Sequence, residues 1–570
     1  MCALTALLFS LVFLLGIATE FNLFPRPHTT ALGTHSGTVD YDFPDFNKIV
    51  HHYTLSESEI GLDNPIRRLM FVGDVHGMNK SLHDLLSAVS YKPETDTLIF
   101  AGDIMAKSTH AGSLAVLDFI TQHKCGGTPG PVYAVRGNHD QMVVQWRAWR
   151  DWFEPLQLTF PEPSRIDAAK DKKPDRPVRT GREFLRLIEH EWMHDVRTDP
   201  KSSADPNAWA DTARKRAAGT WRAEWWRRIP HFGKGREKKD WAIFGDHYWL
   251  AREMTMAQRE CLYSLPLVIH APSEHFFVVH AGILPSDPTL PLLDEHQPLA
   301  HPPVLDVSGA DVDIEGDDDD ITIISRIVHV QQLLSTSTLT RSSPRKNETL
   351  EELRTAQEKA IMTDIPTNRD PWVLLNMRGV RKTGKVTRNN DKGTPWSKIW
   401  NNQIGRCRGF DNSSSSMPDA PRIYDIKRPF TRPNPGDDSD SETILLPCEP
   451  ASVVYGHAAT RGLDVKRWSV GIDTGCLYGW RLTTLILQRP NGSDIESRYP
   501  ESEVDDDGVY QDEDNWYSAG IARSDGQWEE PEMPSRRRRR KTRRVEFGDK
   551  GSGLDARLVS IKCPKMGDFA

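Results

Sequence analysis

Six residues stand out by type and setting: Asp74, His76, Asp103, Asn138, His280 and His457. Carboxylates, imidazoles and an amide oxygen are donors that hold zinc, manganese or iron. Two such ions about 3.5–4 Å apart can share a carboxylate and a hydroxide, and the hydroxide can attack phosphorus. The spacing suits that use. Asp74 and His76 lie two apart in Gly73-Asp74-Val75-His76-Gly77, so an extended backbone would aim both the same way. Asp103, after Gly102, is the natural bridge. Asn138, in Gly137-Asn138-His139-Asp140, offers a neutral oxygen, and His280 and His457 complete the second ion's set. A lone Gly-Asp pair commonly marks a turn, and a lone histidine after a strand is usually a core residue. Five such blocks in order, each closing an apolar run, point to a built metal site.

The apolar runs are Leu69–Val72, Thr97–Ala101, Pro131–Val135, His275–Val279 and Ser452–Tyr455, each ending at one of these blocks. Helical spacing at Asn79–Val89 and Leu114–His123 separates the first three, which predicts a βαβαβ unit with its site at the strand ends. Residues 141–246 are rich in Trp, Arg and Lys with helical periodicity and read as an insertion. Residues 286–365, with the acidic run Asp317–Asp320, read as a second one. Trp468–Leu487 reads as two closing strands around a turn at Asp473-Thr474-Gly475. The expected organisation is a polar lead-in at 25–65, a catalytic domain at 66–490, and a low-complexity tail at 491–570 with the basic run Arg536–Arg544.

Composition limits the partners. With 570 residues, 38% hydrophobic and 27% charged, and a net charge of only −8, the whole chain lacks a nucleic-acid signature. The 7 cysteines form no CxxC pair, which argues against a thiolate-held metal and leaves one or two disulfides open, with no pairing readable. Met1–Ala18 is apolar and uncharged, shorter than the roughly 20 residues of a full membrane span, and ends in a small-x-small pattern. Residues 1–24 are therefore expected to be a signal anchor or a signal peptide. Sequons at Asn347, Asn412 and Asn491 fit an exported chain. Arg182, Arg186, Arg214, Lys215, Arg216, Arg222, Arg227 and Arg228 could line a polyanion groove, but packed tryptophans with solvated charges are the better reading of that insertion.

The blocks GDVHG, GDI, RGNHD, VHAG and YGHA, in this order, resemble the calcineurin-like metallophosphoesterase superfamily, with Gly456-His457-Ala458-Ala459 resembling its phosphoprotein phosphatase branch. The resemblance implies an α/β fold of the α+β sandwich type, two mixed β-sheets flanked by helices, with a dimetal site at the strand C-terminal ends. It implies that Asp74, His76 and Asp103 hold one metal and Asp103, Asn138, His280 and His457 the other. His139 would be the general acid, and Arg136 and Lys107 would contact phosphate. Ala106 and Lys107 stand where protein phosphatases carry Asp and Arg, which weakens the protein-phosphatase reading. An anhydride leaves as phosphate and needs less acid assistance than a serine alkoxide.

With the N-terminal segment, Pro371–Arg378 and Gly393–Ser397, the chain is most similar to fungal vacuolar endopolyphosphatases. That likeness implies cleavage of inorganic polyphosphate with two divalent ions, Zn or Mn before Fe/Zn. It implies a vacuolar lumen or single-pass vacuolar membrane location, with secretion as the alternative. A symmetrical dinucleoside tetraphosphatase or a serine/threonine phosphatase would use the same site. A non-catalytic binding protein would be expected to have lost ligands, and all six are in place.

Overall fold

The computed structural model describes residues 44–125, 131–157, 180–199, 205–230, 242–301, 303, 344–410, 444–490, 541–549 and 552–565. Met1–Ala18 and the sequons at Asn412 and Asn491 lie outside them. The chain divides into two compact units, one comprising Met1–Lys48 and Met142–Met254, the other Ile49–Gln141 and Thr255–Ala570.

The strands, in chain order, are β1 (Val50–Thr54), β2 (Arg68–Val72), β3 (Asp96–Phe100), β4 (Val132–Ala134), β5 (Pro266–Ala271), β6 (Phe276–Val279), β7 (Gly379–Val380), β8 (Val386–Thr387), β9 (Thr394–Pro395), β10 (Ser452–Tyr455), β11 (Asp464–Lys466), β12 (Ser469–Gly471), β13 (Arg481–Gln488), β14 (Lys541–Val545) and β15 (Asp555–Lys562). All belong to the second unit. They form two mixed six-stranded sheets, ordered β1-β5-β6-β10-β12-β11 and β14-β15-β13-β2-β3-β4, and a small sheet β8-β7-β9.

β2, β3, β5, β6 and β10 are buried along their whole length. That explains why they read as continuous apolar runs rather than alternating ones: both faces are covered. Leu69, Phe71 and Ile99 of one sheet share a core with Ile269, Phe276, Val278 and Val454 of the other, and the Phe71 and Phe276 rings meet edge to face at 5.3 Å. On the opposite face, Phe277, Val453 and Tyr455 pack against Leu374, Trp396 and Trp400, which lie on helices Pro371–Asn376 and Trp396–Ile404. At about 1.5–3 kcal/mol for each large apolar side chain buried, this double-sided core fixes where the strands end.

Two stretches depart from the sequence reading. Val50–Thr54, placed in the polar lead-in, is an edge strand parallel to β5. Lys541–Val545 and Asp555–Lys562, placed in the low-complexity tail, continue the second sheet through β13. Ala556 and Leu558 enter the core between the sheets. Two short strands behind a long charged run carry too little local apolar signal to be seen by composition. Disulfides join Cys407 to Cys448 and Cys476 to Cys563, the second tying β15 to the turn before β13.

In the first unit, helices Gly181–Thr198, Pro206–Ala217, Arg222–Arg227 and Asp246–Glu253 carry an aromatic core. Trp149 stacks on Phe153 at 4.8 Å and Trp192 on Phe244 at 5.0 Å. Five of the seven groove arginines form ion pairs: Arg182 with Glu154, Arg214 with Asp211, Arg216 with Asp195, Arg222 with Glu191 and Arg228 with Glu224. Arg214 and Arg228 also lie over the Trp226 and Trp225 rings. The packed tryptophans are as the sequence favoured, while several of the charges expected to be solvated are paired.

Candidate metal centre

Each candidate ligand sits past a strand end: Asp74 and His76 after β2, Asp103 after β3, His280 after β6 and His457 after β10 on loops, and Asn138 after β4 as the first residue of the helix Asn138–Phe153. Three of these ligands occupy the left-handed backbone region, with φ +47° at His76, +48° at Asp103 and +66° at His457. Such conformations persist only where the surroundings enforce them. Here His76 N–H donates to Asp103 O (2.8 Å) and Gly77 N–H to Ile104 O (2.9 Å). The expected extended Asp74–His76 segment is therefore corrected to a turn, pinned to the neighbouring loop. Asp140 does similar work, its buried carboxylate accepting N–H bonds from Gly137 (2.8 Å), Ile104 (3.1 Å) and Met105 (3.3 Å).

Close approach requires glycine at two positions. A Cβ on Gly137 would lie 2.1 Å from Asp103 Oδ1, and one on Gly456 would lie 2.1 Å from Asp74 Oδ1.

Two donor groups converge, Asp74 with His76 and Asp103, and Asp103 with His280 and His457, sharing Asp103. His280 Nδ1 donates to Ala101 O at 3.0 Å, which leaves Nε2 as a bare acceptor. That Nε2 lies 3.1 Å from Asn138 Oδ1, 3.1 Å from His457 Nδ1 and 3.4 Å from Asp103 Oδ2. His457 Nδ1 is itself 3.0 Å from Asn138 Oδ1. Of these atoms only His457 Nδ1 can carry a proton once His280 Nδ1 donates to Ala101, so at least three lone-pair donors converge, and the cluster fits a cation at its centre. His76 Nε2 lies 3.6 Å from Asp103 Oδ2 on the other side. The residues present therefore fit a two-metal site.

Electrostatics agree. Burial, then Asp473 and Asp103, holds the Asp74 carboxyl well above the usual range. Burial raises Asp103 too, but His280, His139 and His76 outweigh it and bring it well below. Burial, with His280 and Arg378 beside it, keeps His457 neutral and able to ligate. His280 goes the other way: burial lowers it, but Asp103 and the hydrogen bonds to Asp103 and Ala101 outweigh burial and raise it. Crowded buried carboxylates beside imidazoles are an arrangement that a divalent cation relieves.

The remaining predicted residues divide. His139 N–H donates to Asp103 Oδ1 at 2.9 Å, and its ring meets the His76 ring edge to face at 5.4 Å, which places it at the site. Lys107 is partly exposed on the loop after Asp103, at φ +72°. Arg136 is corrected: its fully buried guanidinium donates to Gln141 Oε1 (2.8 Å) and the carbonyls of Tyr263 (2.8 Å) and Leu262 (3.3 Å), so it locks a helix end rather than facing phosphate.

Three residues at the site were not singled out by the sequence. Asp473 follows β12 and is buried against Asp74. Its strand-end setting was the signal, but it was read only as part of a turn. Arg378 and Arg461 lie on the side of His457. Burial chiefly, opposed by Asp473 and Asp74 and reinforced by Arg461, lowers the Arg378 guanidinium.

Residues 67–271 match the family described as calcineurin-like phosphoesterase. The chain is 33% identical over 99 residues to the symmetrical bis(5'-nucleosyl)-tetraphosphatase of Haemophilus ducreyi, covering 17% of this chain and 34% of that protein. It is 45% identical over 69 residues to the enzyme of the same name from Pectobacterium atrosepticum, covering 12% and 22%. The chain thus spans about a third or less of the curated relatives it matches. A crystal structure of a provisionally assigned diadenosine tetraphosphatase aligns over 76% of this chain and 93% of its own, at 17% identity and a TM-score of 0.30, too low to inform the site. The similarity to the calcineurin-like phosphoesterase family thus lies in residues 67–271, the segment that carries Asp74, His76, Asp103 and Asn138.

Proposed function

We propose that this protein is a metal-dependent hydrolase of phosphoanhydride bonds, with inorganic polyphosphate as its preferred substrate. The observation that carries the hydrolase reading is the pair of donor groups joined at Asp103. Bound divalent ions, Zn or Mn in preference to Fe/Zn, would supply Lewis acidity and an activated water. Asp74, His76 and Asp103 would hold one ion, and Asp103, Asn138, His280 and His457 the other. His139, fixed through its backbone to Asp103, would hydrogen-bond or protonate the departing oxygen. Arg378 and Lys107 would offset phosphate charge.

Ala106 in place of an acid that would orient His139 favours anhydrides over serine esters. The relatives named as dinucleoside tetraphosphatases favour a second reading, a dinucleoside polyphosphate, in the same anhydride class. The two disulfides favour an oxidising compartment, in keeping with a vacuolar lumen or membrane reached by the secretory route. No described helix is long and apolar enough to cross a membrane.

The test is incubation with long-chain polyphosphate, diadenosine tetraphosphate and a phosphopeptide, with Zn or Mn, products resolved by gel and chromatography. Shortening of polyphosphate through intermediate lengths, lost in Asp103→Asn, is expected. Cleavage of the dinucleotide alone would shift the assignment to the second reading, and cleavage of the phosphopeptide alone would remove the anhydride assignment.

A further inference from the structure

Beside His457 the chain brings together two arginines, Arg378 and Arg461. Arg461 ends the 3-10 turn Ala459–Arg461, which starts two residues after His457. Its Nη2 donates to the backbone carbonyl of Arg378 at 2.6 Å. Its Nη1 is buried and has no hydrogen-bond partner among the described residues. Arg378 Nη1 donates to Asn390 Oδ1 at 2.9 Å, and Asn390 Nδ2 donates on to Thr460 Oγ1 at 2.5 Å. The amide thus ties the strand-loop carrying Arg378 to the turn carrying Arg461. Among the described residues neither arginine forms an ion pair. Arg461 nonetheless acts on Arg378, helping burial to lower its guanidinium.

A folded chain has little reason to hold two like charges together, one with an orphaned buried donor, unless an anion joins them in use. A buried unmade hydrogen bond to a charged group is costly, and a doubly charged oxyanion is the partner that uses a guanidinium fork best. The order of the groups says which anion. Arg378 lies within the field of Asp473 and Asp74, on the metal side. Arg461 is joined to it through the Arg378 carbonyl, from the turn that follows His457.

We propose that Arg461 forms a subsite for the phosphoryl unit adjacent to the one being attacked, so that this site selects substrates with at least two linked phosphates. The inference rests on the phosphoanhydride reading above and refines it. A single phosphoryl group bound by the metal ligands and Arg378 leaves the Arg461 donor unused. A pyrophosphoryl unit bridges Arg378 and Arg461, and the second unit is the one that departs with the negative charge. Arg461 then both binds the substrate and stabilises the leaving phosphate.

The experiment compares wild type, Arg461→Gln and Arg461→Lys on inorganic tripolyphosphate and on p-nitrophenyl phosphate, with free metal buffered. Loss of one charged hydrogen-bonding group from the subsite should lower kcat/KM for tripolyphosphate on the order of 10- to 100-fold. Hydrolysis of p-nitrophenyl phosphate should stay within about twofold, and Arg461→Lys should recover part of the loss. Equal losses on both substrates, or none on either, overturn the subsite. If wild type cleaves the monoester but no tripolyphosphate, the phosphoanhydride function fails. The subsite is then judged by inhibition of monoester hydrolysis: pyrophosphate should bind tighter than orthophosphate to wild type and lose that advantage in Arg461→Gln. An advantage unchanged in the variant overturns it.

Discussion

Replacing Gly456 by alanine should disable the metal centre without touching a ligand. The new Cβ would stand 2.1 Å from Asp74 Oδ1, 3.2 Å from Asp74 Cγ and 3.1 Å from the Ala101 carbonyl. A carbon–oxygen contact relaxes to about 3.3 Å, so backbone or carboxylate must give by about 1 Å. The carboxylate has little room. The His457 N–H holds both its oxygens at 3.1–3.2 Å, and Asp473 is buried against it. The expected result is a displaced Asp74, weaker binding of the ion shared by Asp74, His76 and Asp103, and kcat/KM lower by roughly 100-fold, the usual consequence of misplacing a catalytic group by 1 Å. Stability without metal should fall by roughly 1–3 kcal/mol from overpacking. Calorimetric titration with Mn²⁺ and initial rates on p-nitrophenyl phosphate read both effects. Metal affinity and rate within twofold of wild type would refute the view that this glycine exists to let the last strand-end loop close on Asp74.

His139→Ala should cost at least tenfold more on a monoester with a poor leaving group than on tripolyphosphate, measured by kcat on each, since a departing phosphate needs little protonation. Glu358 is buried between His270 Nε2 (2.6 Å) and His275 Nδ1 (3.0 Å), away from the metal ligands. Burial raises its carboxyl, but those two bonds outweigh it and bring it below the usual glutamate value. A depressed carboxyl stabilises the fold above its unfolded pKa and stops doing so as pH falls through the folded one. Chemical denaturation from pH 7 to 3 should thus show an acid loss beginning near the normal glutamate range, blunted in Glu358→Gln, which should itself lower stability by roughly 3–5 kcal/mol at pH 7. Reduction of the two disulfides should lower the stability of the metal-free protein by about 2–4 kcal/mol for each bridge, seen as a shift in the denaturation midpoint.

The candidate metal ligands that the fold brings together could be picked out because their signal is local. An Asp or His one or two residues past a continuous apolar run is visible wherever the run is buried on both faces, as β2, β3, β6 and β10 are. The order of the first three runs also carried the βαβαβ unit, seen as parallel β2, β3 and β4, whereas the two mixed sheets were expected from the family resemblance. Arg136 shows the limit. Its position after β4 suggested a phosphate contact, but a long side chain goes where its tip is satisfied, and the carbonyls of Leu262 and Tyr263 lie more than a hundred residues away in sequence. For the same reason nothing local marked Arg378 and Arg461 as neighbours, since the bond between them spans 83 residues. Nor did composition reveal that Asp555–Lys562 belongs to the core sheet, because pairing with β13 supplies the stability its own few apolar residues lack. The sequence by itself determined which chemistry the strand ends could support. The tertiary structure alone decided which charges face it, because burial and hydrogen-bond satisfaction of a long side chain depend on partners that only folding brings near.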